Sequence, residues 1–108
     1  MVYNQKLEIT LKIFHLPSGR SPFNDWLYDL DTVTRSRIRR RIGLLRLGNF
    51  GDWKSVGSGL FELRQNFGPG YRIYFSRLNE RELVIIYGGT KKTQTKDIKR
   101  AKELWSCF

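Results

Sequence analysis

The chain opens on a strict alternation: Leu7, Ile9, Leu11 and Ile13 are apolar, and Lys6, Glu8, Thr10 and Lys12 between them are polar. A period of two sends successive side chains to opposite faces, so Lys6 to Phe14 predicts a half-buried strand. Pro17, Ser18 and Gly19 break it. The period then lengthens. Phe23, Trp26, Leu27 and Leu30 recur at helical spacing behind Ser21 and Pro22, a capping hydroxyl followed by a first-turn proline, and predict a helix from Pro22 to Leu30. Asp31 and Thr32 offer the cap of a second helix, Val33 to about Leu47, with Ile38, Ile42 and Leu45 as its apolar stripe and Gly48 as its stop.

Asn49 to Gly59 carries three glycines in eleven residues and reads as a loop. Strand-like runs follow over Leu60 to Phe67, Tyr71 to Arg77 and Leu83 to Tyr87. Gly68-Pro69-Gly70 and a turn around Asn79 separate them, as in an antiparallel meander, and Gly88-Gly89 ends the last run. Thr93 or Thr95 caps a closing helix with Ile98, Ala101 and Trp105 on its apolar face. The predicted order is βααβββα: an α+β fold with an antiparallel-rich sheet, helices packed on one face, and one domain across residues 1–108.

Charge changes this picture from a fold to a partner. Twenty Lys and Arg against ten Asp and Glu give a formal net charge of +10. A field of that sign draws polyanions, of which nucleic acid is the commonest, with anionic membrane and an acidic protein as alternatives. No apolar run reaches the ~18 residues of a membrane span, and the first residues lack the apolar core of a signal peptide. With Cys107 the single cysteine, an internal disulfide and a zinc site are both excluded. A cytoplasmic protein without metal or cofactor is expected.

Strand alternation proposes where chemistry sits. Phe61, Leu63 and Phe67 share one face with Tyr71, Ile73 and Phe75, the side the helices need. The opposite face then collects Glu62, Arg64, Arg72 and Tyr74, expected to meet solvent, with glycines around it that admit a bulky ligand. Arg72 has little structural purpose in that arrangement. Lys54 enters from the preceding loop, and Lys91 and Lys92 follow the last strand. Cleavage of RNA by its own 2′-hydroxyl needs a base, cations for the phosphorane and an acid for the leaving oxygen. Arg64, Arg72 and Lys92 fit the cationic role, Lys54 or Glu62 the base, and Tyr74 or Tyr87 a stacking or orienting role. The competing reading of the same residues is a phosphate-binding or merely solvated cationic face. Arg37 and Arg41, on the second helix, are further candidates for contact with RNA or a partner. His15 stands without a His or Cys partner, and no phosphate-loop or dinucleotide fingerprint is present.

The segments GNFGD, GLFELR, FGPGYRIYF and GGTKKTQTKDI occur in that order. Together they resemble the phage-derived branch of HigB-type addiction-module killer proteins within the RelE superfamily, over roughly Phe23 to Trp105. The resemblance implies a RelE-like fold and a toxin neutralised by a helix-turn-helix antitoxin. It also implies a ribosome-dependent mRNA endonuclease that needs no metal. Arg72 matches the family's strand arginine, Arg64 a second basic position, and Lys91 or Lys92 the place where relatives carry a basic residue or histidine. The family's additional histidine or terminal tyrosine has no counterpart here, which leaves the acid and base unassigned. Non-catalytic binding to RNA or the ribosome, and a basic module for an acidic partner, are the alternative functions.

Overall fold

A computed structural model of the chain describes residues 8–107 and shows a mixed α+β fold. Strand β1 (Thr10–Ile13) leads into helices α1 (Pro22–Tyr28) and α2 (Thr32–Leu45). Four strands follow: β2 (Trp53–Gly57), β3 (Leu60–Gln65), β4 (Tyr71–Asn79) and β5 (Glu82–Thr90). A 3-10 turn over Lys91–Thr93 then enters helix α3 (Gln94–Ser106). The sheet order is β1-β5-β4-β3-β2, antiparallel except where β1 runs parallel beside β5.

The caps form as the residue types dictate. Ser21 Oγ accepts from the Asn24 N–H at 3.2 Å with Pro22 in the first turn, and Asp31 accepts from the Thr34 N–H at 3.0 Å. Each satisfies a backbone donor that the helix itself leaves free. Both helices end about two residues before the predicted limits, within the ordinary fraying of helix termini. Ile9 is buried and Leu11 and Ile13 half-buried, with Thr10 and Lys12 exposed, as alternation requires. Lys6 and Leu7, at the start of the predicted strand, lie outside the described residues.

Three expectations are corrected. Part of the glycine-rich stretch read as loop is strand β2, so the order is βααββββα. Its residues are mostly exposed on a sheet edge, which removes the apolar alternation that would announce a strand. Ser58 and Gly59 both adopt positive φ, at 58° and 74°, the conformation that lets a two-residue hairpin turn match strand twist. Gly88 and Gly89 do not end β5 but lie within it. A Cβ on Gly88 would overlap the Trp26 ring, and one on Gly89 the Asp97 carboxylate, so each glycine admits a helix side chain on one side of the sheet.

The third correction concerns the layers. Helices cover both faces of the sheet. Leu27 of α1 and Ile38 and Leu45 of α2 pack with Leu63, Ile73, Phe75 and Ile85. Ala101 and Leu104 of α3 pack with Leu60, Tyr74, Val84 and Ile86 on the other side. Six consecutive residues of β4, Tyr71 to Ser76, are buried. A strand covered on both sides has no solvent face, so the side expected to be open lies under α3.

Candidate functional site

The register of the sheet assembles the polar cluster. Lys54 stands opposite Glu62, Glu62 opposite Tyr74, and Tyr74 opposite Tyr87, in one row across four strands. In the next row Arg64 is opposite Arg72, and Arg72 opposite Gly89. Two like charges directly opposed on a sheet repel, and Glu62 is the counterion between them. Its carboxylate accepts from Arg64 Nε at 3.2 Å on Oε1. On Oε2 it accepts from the Tyr74 hydroxyl at 3.2 Å and from Gln94 Nε2 at 2.8 Å. Arg72 Nε lies 3.9 Å from Oε1, close enough for charge pairing and too far for a hydrogen bond. That nitrogen is buried with no hydrogen-bond partner, while Nη1 of the same side chain donates to the Tyr71 carbonyl at 3.2 Å.

Burial decides what each group offers a ligand. Glu62 and Tyr74 are 0 % exposed and Arg72 6 %. Glu62 is therefore not the accessible base that its residue type suggested. Tyr74 does not stack on a base; burial and the adjacent Glu62 hold its hydroxyl protonated far above the usual phenol range. Arg72 has a structural place after all, because α3 closes over it. Arg64 is the member that reaches water, with 31 % of its side chain exposed. Tyr87 is half-buried and lines a groove of about 450 Å³ with Trp26, Leu16, Arg20 and Arg100. Burial and the Asp97 carboxylate raise its pKa as well.

Lys91 and Lys92 are exposed, and the 3-10 turn that carries them is tied to the site. The Lys91 N–H donates to the Gly70 carbonyl at 2.7 Å, which docks the β3–β4 turn against the start of α3. Gly70 has φ 78°, and a Cβ there would sit 3.5 Å from Arg72 Nη1. Lys54 is exposed on the edge strand. The expected glycine-flanked entrance for a ligand is corrected at Gly88 and Gly89, whose space the protein's own Trp26 and Asp97 occupy.

Three contributors were not singled out from sequence: Gln94, Thr93 and Asp97. Thr93 was read only as a possible cap, whereas its hydroxyl donates to the buried Asp97 carboxylate. The signal was present, since Gln94 and Asp97 precede Ala101 at spacings of seven and four and share its inward face. Arg37 and Arg41 do not join this cluster; α2 carries them on the opposite side of the sheet. Among the described residues no group of three or more His, Cys, Asp and Glu side chains is placed to hold a metal ion. Among the same residues no helix is long and apolar enough to cross a membrane.

The fold and site define a basic α+β protein with a buried carboxylate clamping two arginines beneath a helix, and exposed lysines at the rim. No protein-family model matches the chain. It is 47% identical over 83 residues to an uncharacterized protein of Haemophilus influenzae, a match that covers 76% of this chain and 84% of that protein. The chain belongs to the same family as that Haemophilus influenzae protein.

Proposed function

We propose that this protein is the toxin of a type II toxin–antitoxin module, a RelE/HigB-type protein that blocks translation by cutting mRNA on the ribosome. At rest it is held in the cytoplasm by a helix-turn-helix antitoxin. The observation that carries the reading is the cationic rim around the Gly68–Gly70 turn. There Arg64 is oriented by Glu62 and remains accessible, and the exposed Lys91 and Lys92 sit in the 3-10 turn whose backbone docks on Gly70. The RelE-like character rests on the sequence segments quoted above, with β2 as an additional edge strand relative to the expected order.

The chemistry assigned to this rim is transesterification. The ribose 2′-oxygen attacks phosphorus, the bond to the 5′-oxygen breaks, and a 2′,3′-cyclic phosphate and a 5′-hydroxyl result. Arg64 binds the non-bridging oxygens as charge develops, with Arg72 behind it raising the local positive field. Lys54 and Lys92 are the candidates for moving the two protons, since Glu62 is enclosed by its donors. Tyr87 is the remaining candidate for stacking on a base. A second reading, occupancy of the ribosome without cleavage, is favoured by one observation: the cluster's carboxylate is fully buried and already accepts three hydrogen bonds.

Induced expression should arrest growth, and co-expression of a helix-turn-helix protein encoded beside it should relieve the arrest. Primer extension on a translated message should then show new 5′ ends at ribosome-positioned sites that persist in chelator. Normal growth with abundant folded protein would refute the toxin reading. Arrest with intact messages would replace cleavage by occupancy.

A further inference from the structure

A second concentration of charge lies on the other side of the sheet. Residues 35–41 of α2 include Arg35, Arg37, Arg39, Arg40 and Arg41. Among the described residues none of these five is within ion-pair distance of a carboxylate. Arg35 and Arg39 flank the Tyr28 ring at 5.2 and 5.3 Å. Arg37, Arg40 and Arg41 instead line a cleft of about 200 Å³ with Leu44, Gln65 and Phe67. No acidic side chain lines it.

Arg41 is the unusual member. One of its nitrogens donates to the Asn49 carbonyl at 3.1 Å, while Nη2 is buried with no hydrogen-bond partner. Its guanidinium packs where a Cβ on Gly51 would fall, and Gly51 has φ 58°, so the loop after α2 is shaped to admit it. Burial without a counterion disfavours the charged form and lowers its pKa. The buried nitrogen faces the Gly51 loop, so Arg41 acts on the cleft it lines through its uncompensated charge.

We propose that the cleft between α2 and the end of β3 is a phosphate-binding site for the backbone of an RNA strand, distinct from the cluster under α3. Arg40 is an exposed residue of its lining whose side chain has no hydrogen-bond or ion-pair partner among the described residues, and Arg37 stands one turn away. Both face the ligand as planar forks that pair with phosphate oxygens through two parallel hydrogen bonds. An acidic protein partner fits less well. Tight protein contacts centre on apolar anchors in pockets, and the main apolar surface here, the Phe67 ring, is already covered by Arg37 at 3.7 Å. The site does not depend on the toxin reading. It does bear on how RNA would lie, because Gln65 of this cleft and Arg64 of the other cluster are neighbours in β3 facing opposite sides of the sheet.

The test is the salt dependence of binding to a fluorescent single-stranded RNA of about 12 nucleotides, read by anisotropy with the full chain. Each lost phosphate contact should make the slope of log K against log salt shallower by about 0.7. Arg40→Gln, which breaks no contact within the protein, should show this loss, and Arg37→Gln should repeat it. The same loss should appear in an Arg64→Gln background if the two clusters are separate. Arg81→Gln, an equal change in net charge at an exposed turn, should leave the slope unchanged. An unaltered slope in Arg40→Gln, or an equal loss in Arg81→Gln, overturns the proposal. Binding of polyglutamate that depends on Arg37 and Arg40 while RNA binding does not would also overturn it, in favour of an acidic protein.

Discussion

Replacing Glu62 by Gln keeps the shape of the side chain and removes its charge. The amide carbonyl can still accept from Arg64 if it takes the place of Oε1. The new NH₂ then faces the Tyr74 hydroxyl and the Gln94 amide, both able to accept once reoriented. The hydrogen bonds are thus largely remade, and the loss is electrostatic. Arg72, 6 % exposed, is left facing Arg64 without an ionised partner. Removing one member of a buried pair costs about 3–5 kcal/mol. The lower end applies, because Arg72 Nε is 3.9 Å from the carboxylate and Arg64 recovers water over its exposed part.

A loss of about 3 kcal/mol is a large share of the roughly 5–15 kcal/mol of a domain this size. At about 4 °C per kcal/mol it lowers Tm by about 12 °C. Urea unfolding followed by tryptophan fluorescence should show a reduced midpoint with an unchanged m-value. Adding Arg72→Met to Glu62→Gln removes the stranded charge, so the double variant should be more stable than the sum of the single losses predicts. A single-variant loss below about 0.5 kcal/mol, the range of an ordinary surface change, would refute the counterion role of Glu62, as would additive losses.

Two further outcomes follow from the same packing. Gly88→Ala forces a methyl into the Trp26 ring and should destabilise by about 1–3 kcal/mol, with a shifted tryptophan emission; unchanged stability would mean that α1 is free to move off β5. The raised pKa of Tyr74 stabilises the fold fully below the unfolded phenol value near 10, and this contribution is lost as pH rises through that value toward the higher folded one. Tyr74→Phe should therefore flatten the alkaline loss of stability measured by urea titration, and an identical alkaline profile would place that loss in other groups.

Much of this arrangement was legible in the residues, and what was missed has physical causes. Ser21-Pro22 and Asp31 announced their helices because a cap is a local bond between near neighbours. The pairing of Arg64 with Arg72 through the Gly68-Pro69-Gly70 turn was legible for the same reason. What lay on top of that pair was not local. Polar alternation in β3 and β4 argued for an open face, whereas the unbroken run Leu83, Val84, Ile85 and Ile86 in β5 is apolar toward both sides. A strand of that kind needs cover on each face, and α3 provides it. The inward Gln94 and Asp97 then make the polar face compatible with burial. Strand β2 escaped notice because an exposed edge strand has no core to pattern it.

The paired arginines, Arg72 buried and Arg64 partly exposed, bear on the proposed function through their cost. Replacing a buried ion cluster by apolar side chains of similar volume is often neutral or stabilising. Val or Leu at Arg64 and Arg72, with an apolar residue at Glu62, would suit a sheet that only had to pack. The protein instead keeps two arginines and the carboxylates of Glu62 and Asp97 beneath α3, and among the described residues a buried guanidinium nitrogen of Arg72 has no hydrogen bond. Charge kept at such a cost supports the proposed anion-binding role of the cluster. Its outlet is Arg64, the more exposed of the two arginines. Glu62 holds the Nε of Arg64 while 31 % of the Arg64 side chain stays exposed. An anion meeting that side chain finds it already desolvated on one side and held in place, so little ordering remains to oppose binding. Under the proposed function Glu62 acts through Arg64 as a positioning residue, and Arg64 is the arginine of the pair that an anion can reach.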